Sequence, residues 1–110
     1  MEVEVLVMVG FQPKSDYDGN WEQEGKMPAN LSFNGYEVMR EAYSDVVGIQ
    51  INSFYGDGVG WIEPKDMKKA IDTAESLLDD FKKFMEENLP EEYKYYAEEI
   101  EVMIPITSPY

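Results

Sequence analysis

The chain has 110 residues, 23 acidic against 9 basic side chains, a net charge of −14, and neither Cys nor His. Its length and its 44% apolar content suit one compact α+β domain over 1–110 with a real core. The two missing residue types exclude a disulfide framework, a thiol nucleophile, an imidazole base and His- or Cys-based metal centres, and no cofactor is expected.

In chain order, residues 2–10 read as a strand. Val3, Val5, Val7 and Val9 recur with period two, and Gly10 and Pro13 close the run. A polar, Gly- and Asn-rich loop follows, from about 12 to 33. Connections that long are uncommon in small domains and are often functional. Asn34, with Glu37 three residues on, has capping-box spacing, and Tyr36, Met39, Tyr43 and Val46 predict a short helix ending near Asp45. Val47 to Phe54 predicts a second strand, with Val47, Ile49 and Ile51 on one face. Tyr55-Gly56-Asp57-Gly58 predicts a turn, and Val59 to Ile62 the return strand of a hairpin. Pro64 suits a first helical turn, and apolar residues at spacings of three and four from Met67 to Leu89 predict a helix over about 64–88. Pro90 stops it and is placed to start a shorter helix through Tyr93, Tyr96 and Ala97. Ile100, Val102, Ile104 and Ile106 alternate as a last strand, and Pro105, which lacks an N–H, assigns that strand to a sheet edge.

This strand, helix, strand, strand, helix, strand order resembles the ferredoxin-like β-α-β-β-α-β arrangement, an antiparallel sheet with two helices on one face. The likeness is one of architecture, and such a fold assigns no function. Alternation predicts the faces. The valines of the first strand, with Val47, Ile49, Ile51, Val59, Trp61, Ile100, Val102, Ile104 and Ile106, are expected to meet the helices. The other face is expected to show Glu2, Glu4, Leu6, Met8, Gln50, Asn52, Phe54, Ile62, Glu101 and Met103. A solvated face would be more uniformly polar. Either a partner uses this face, with Glu4, Met8, Phe54 and Met103 at its interface, or the 12–33 segment folds back over it.

A charge of −14 repels nucleic acid and anionic lipid, and attracts basic surfaces; it also suits plain solubility. No run approaches the roughly 20 apolar residues of a membrane span. The start of the chain, with Glu2 and Glu4 and no basic residue, does not read as a signal peptide, so the expected compartment is cytoplasmic. The predicted long helix carries seven acids and five lysines, and is nearly balanced. The excess acid lies elsewhere, most densely at Glu91, Glu92, Glu98, Glu99 and Glu101, interleaved with Tyr93, Tyr95 and Tyr96.

Motifs for chemistry are weak. Asp16-Tyr17-Asp18-Gly19-Asn20-Trp21-Glu22 alternates oxygen ligands, as a hard cation needs. Trp21 and Met27 stand where an EF-hand loop needs Gly and Glu, so an Asx-rich turn explains it better and no metal is expected. Gly56-Asp57-Gly58-Val59-Gly60 lacks the Lys-Ser/Thr ending of a P-loop and reads as a hairpin turn. With no His or Cys, and Arg40 as the only Arg, an enzyme is not expected.

The sequence therefore suggests a non-enzymatic, acidic binding protein that masks a basic, nucleic-acid-binding surface of a partner. In size and composition it resembles toxin-immunity proteins and phage anti-restriction or anti-CRISPR proteins. The expected partner residues are Asp16, Asp18, Trp21, Glu22 and Glu24 in the loop, and Glu91, Glu92, Tyr95, Glu98 and Glu99 near the end. The alternatives are a structural or regulatory subunit that forms a homodimer through the sheet face, and a small-ligand or cation module.

Overall fold

The computed structural model describes residues 3–12, 31–41, 43–56, 61–88 and 98–107, with Tyr55 and Gly56 described by their backbone. The protein is α+β, with one antiparallel sheet, one small hairpin and, among the described residues, one helix. The elements are β1 (Val3–Phe11), β2 (Ser32–Phe33), β3 (Tyr36–Glu37), β4 (Met39–Arg40), β5 (Val47–Gly56), α1 (Pro64–Asn88), β6 (Glu101–Met103) and β7 (Ile106–Thr107).

The sheet order is β4-β5-β1-β6, and β7 also pairs with β1. The ferredoxin-like order with two helices is not found among the described elements. That pattern needs a helix after the first strand, whereas residues 32–40 form β2, β3 and β4, and β1 pairs antiparallel with β5. Trp61 and Ile62 belong to no strand. The second helix expected around 91–97 lies outside the described residues.

The missed helix has a local cause. Asn34 and Gly35 both have positive φ, 49° and 83°, and Phe33 pairs with Tyr36 across them. This is a two-residue Asn-Gly hairpin turn, which demands left-handed backbone at both central positions. Asn34 therefore starts a turn and does not cap a helix; the Asn-Gly pair is the stronger signal. Gly35→Ala is expected to cost about 1–2 kcal/mol, and Gly35→Asn less, in urea unfolding. A Cβ at Gly35 would meet nothing within 4 Å, so the loss would come from the backbone alone. An unchanged midpoint for Gly35→Ala would contradict the turn.

The link from β4 to β5 is also stapled locally. The Glu41 carboxylate accepts the N–H groups of Tyr43 (3.0 Å) and Ser44 (2.6 Å). Asp45 takes a positive φ of 62°, a conformation tolerated by Asp, and its carboxylate accepts from Arg40 at 3.0 Å.

The helix matches its expected span. Pro64 stands at its first turn, where no N–H is needed, and the Glu63 carbonyl accepts the first N–H bonds, from Asp66 and Met67. Its buried stripe is Ala70, Ala74, Phe81 and Met85. These residues pack on Val7, Val9, Phe11, Val47, Ile49 and Ile100 of the sheet layer. The β2-β3 hairpin closes one side of this core. Phe33 meets Phe81 edge-on, with ring centroids 5.5 Å apart, and lies 5.2 Å from Phe84. Burying one such ring contributes about 1.5–3 kcal/mol.

Candidate functional site

Register decides which side chains share a face. Residues 3–7 of β1 pair with 56–52 of β5, but Met8 pairs with Gln50, so Ile51 has no partner of its own. This bulge inverts the alternation along β5. Asn52 and Phe54 therefore turn to the helix side, opposite Val7 and Val5, and Phe54 packs against the helix core. The expectation that Phe54 and Asn52 stand on the far face beside Met8 is corrected: strict alternation does not survive an extra residue. Glu4, Leu6, Met8, Gln50 and Ser53 keep the far face, where the Ser53 hydroxyl donates to a Glu4 carboxylate oxygen at 2.9 Å.

The far face is not an open apolar surface. Leu6 is 1% exposed and Met8 0%, in a cluster with Val46, and Met103 packs half-buried against it. Met8 and Met103 are register partners. Among the described residues of this face, Glu101 and Ser53 are exposed, and Glu4, Gln50, Met103 and Pro105 half-buried. Gln12, Ser44, Val46, Glu101, Met103 and Pro105 line a groove of about 410 Å³, across which the Gln12 side-chain amide reaches the Ser44 carbonyl at 3.4 Å.

On the helix side, the same bulge opens a cleft of about 360 Å³ between β5 and the first half of α1. Ile51, Phe54 and Ala70 supply apolar walls, and Tyr36, Asn52, Asp66, Lys69 and Thr73 the polar ones. Two of the polar groups are already engaged: the Thr73 hydroxyl donates to the Lys69 backbone carbonyl at 2.9 Å, and the Asn52 side-chain Oδ1 accepts from the Ser53 N–H at 2.8 Å.

The last strand shows a feature that alternation alone did not reveal. Met8 pairs with Met103 and Glu4 with Thr107, so β6 and β7 lie on one uninterrupted register against β1. Pro105 sits opposite Leu6, and the Leu6 N–H donates to the Pro105 carbonyl at 2.9 Å. The strand is at the edge, as expected from Pro105, but the missing N–H of Pro105 faces inward, toward β1. That is why the strand divides into two short segments. Ile104 and Ile106 have the helix-side parity expected of them, yet are 43% and 72% exposed. They lie past the ground α1 covers. Trp61, expected against the helices, is 83% exposed, and its indole N–H donates to Glu63 at 3.0 Å.

Of the expected partner residues, Asp16, Asp18, Trp21, Glu22, Glu24, Glu91, Glu92 and Tyr95 lie outside the described residues. Glu98 is exposed and Glu99 half-buried, in the turn that leads to β6. Among the described residues no group of three or more Asp and Glu is placed to hold a metal ion, and no helix is long and apolar enough to cross a membrane.

Charge divides between the layers. α1 carries seven acids and five lysines. Its outward face mixes signs, and Lys68 pairs with Asp72 at 3.1 Å. Outside α1 the described residues include Glu4, Glu37, Glu41, Asp45, Glu63, Glu98, Glu99 and Glu101 against one cation, Arg40, which Asp45 engages at 3.0 Å. Glu4 and Glu101 stand on the far face by register, and Glu41 and Asp45 on the connection whose Val46 packs against Leu6 and Met8. No protein-family model matches the chain, and no curated protein or solved structure is significantly similar to it.

Proposed function

We propose that this protein is a non-enzymatic acidic binder that covers a basic surface of a partner protein, in the manner of an inhibitor that stands in for nucleic acid. One observation supports the reading: among the described residues outside α1, eight carboxylates stand against Arg40 alone, whereas α1 is nearly balanced. Every described lysine lies in α1, so the acid on the rest of the described surface is almost unbalanced. A one-sided field steers a basic partner to one face and orients it on arrival. The far face fits a polar contact, since its apolar middle is already sealed at Leu6 and Met8. For the same reason a homodimer through that face is the weaker reading.

The test begins with salt-eluted capture of a partner, and then compares two double variants against it. Glu4→Lys with Glu101→Lys is expected to weaken binding about tenfold or more and flatten its salt dependence. Asp79→Lys with Glu86→Lys, on the outward helix face, is expected to change affinity by less than about twofold. Equal effects from both pairs, or none from the first, would overturn the proposal.

A further inference from the structure

The edge strand carries an inference that rests on the reading above and specifies how the partner is held. In an antiparallel ladder, alternate residues direct both N–H and C=O toward the neighbouring strand, and the residues between direct theirs away. The bond from the Leu6 N–H to the Pro105 carbonyl sets this phase. Met103 and Thr107, two residues to either side, share the inward phase and pair with Met8 and Glu4. Val102, Ile104 and Ile106 therefore point their N–H and C=O groups outward. Among the described residues, nothing accepts from or donates to these outward groups.

Proline usually protects an edge. Here its missing donor is spent on the inner side, so Pro105 leaves the outer row intact. The side chains agree with the backbone: Ile104 and Ile106, on the outward phase, are the exposed apolar pair of this edge. Glu101 lies exposed on the same strand with far-face parity, and Glu98 is exposed in the turn before it.

We propose that the edge from Val102 to Ile106 takes an extended segment of the basic partner as an added strand. The main-chain groups of Val102, Ile104 and Ile106 supply the affinity that is independent of sequence. Side chains of the incoming strand alternate in direction, so apolar residues fall beside Ile104 and Ile106 and Lys or Arg residues toward Glu101 and Glu4. Charge complementarity decides the occupant: a second copy of a chain at −14 would be repelled, whereas a Lys- or Arg-bearing segment is drawn in.

The probe is a capped peptide of about seven residues alternating Lys and Val, with amide hydrogen exchange read by NMR on the whole wild-type protein. Saturating peptide is expected to slow exchange at the Ile104 and Ile106 amides about tenfold or more, and to leave Met103 and Thr107 almost unchanged. Ile106→Pro removes one outward donor at a position that tolerates proline, and is expected to weaken the peptide about tenfold. Where that variant fails to fold, the exchange pattern of the wild type decides alone. No binding of the peptide up to about 1 mM would overturn the inference. So would amide protection in the free protein that rises with its own concentration, which would mean that a second copy fills the edge. Salt-sensitive binding without protection at Ile104 and Ile106 would remove the added strand and leave the charge reading standing. A captured partner indifferent both to Ile106→Pro and to Glu4→Lys with Glu101→Lys would remove both.

Discussion

Gly48→Ala is expected to unfold the protein or leave it with a small fraction of its stability. Gly48 and Gly10 face each other across β5 and β1, and the two backbones approach there more closely than a side chain allows. A Cβ at Gly48 would overlap the Val9 carbonyl oxygen and stand 2.7 Å from the Gly10 Cα. A Cβ at Gly10 would overlap the Val47 carbonyl oxygen in the same way. Overpacking costs about 1–3 kcal/mol where side chains can yield. Here the obstruction is backbone at the centre of the sheet, flanked by Val9, Val47 and Ile49, all 0% exposed. Relief would require β1 and β5 to part, breaking the ladder on which α1 packs. A loss of about 4 kcal/mol or more follows, against a total of about 5–15 kcal/mol for a domain. Denaturant unfolding checks it. Gly10→Ala should cost as much alone, while the double variant should cost less than the sum, because strands parted once need not part again. A Gly48→Ala midpoint within error of wild type would show that the two strands lie further apart.

How much of this was legible in the sequence depends on the range of the determining interaction. The helix was readable to its ends because Pro64 and an apolar stripe along its 25 residues are local signals. The strands β1 and β5 were readable for the same reason, although β1 runs through Gly10 to Phe11 rather than stopping at the glycine. Their pairing was not. Placing β5 directly against β1 involves partners 36 to 53 residues apart, from Phe11–Val47 to Val3–Gly56, and no short-range pattern encodes it. The bulge at Ile51 exists only in the register between two strands, so alternation put Phe54 on the wrong face. Residues 34–46 carry two competing local signals, the helical spacing of Tyr36, Met39, Tyr43 and Val46 and the Asn34-Gly35 turn, and the turn prevails. In the candidate site, the acidity was visible from composition. The outward phase of Ile104 and Ile106 was not, because it follows from which carbonyl Leu6 finds.

Met8→Glu is expected to be the most damaging substitution on the far face, and it separates a sealed face from an open one. Met8 is fully buried and clusters with Leu6 and Val46, with Met103 packed against it. A carboxylate placed there must be desolvated without a partner, or must take up a proton. The expected cost at neutral pH is about 3–5 kcal/mol or more. Met8→Leu, which keeps volume and polarity, should cost less than about 1.5 kcal/mol. The pH dependence has a definite sign. Burial raises the introduced carboxyl's pKa in the folded state above its unfolded value of about 4.3. The folded state then binds the proton more tightly, so the penalty, taken relative to wild type, is small below pH ~4 and grows as pH rises toward the folded-state pKa. Were the face open and used for dimerisation, the same substitution would give a stable, folded monomer from a wild-type dimer. Paired measurements of unfolding midpoint at two pH values and of light-scattering mass distinguish these cases. A Met8→Glu variant as stable as wild type at neutral pH would show that solvent reaches this face, and would restore it as a surface for a partner.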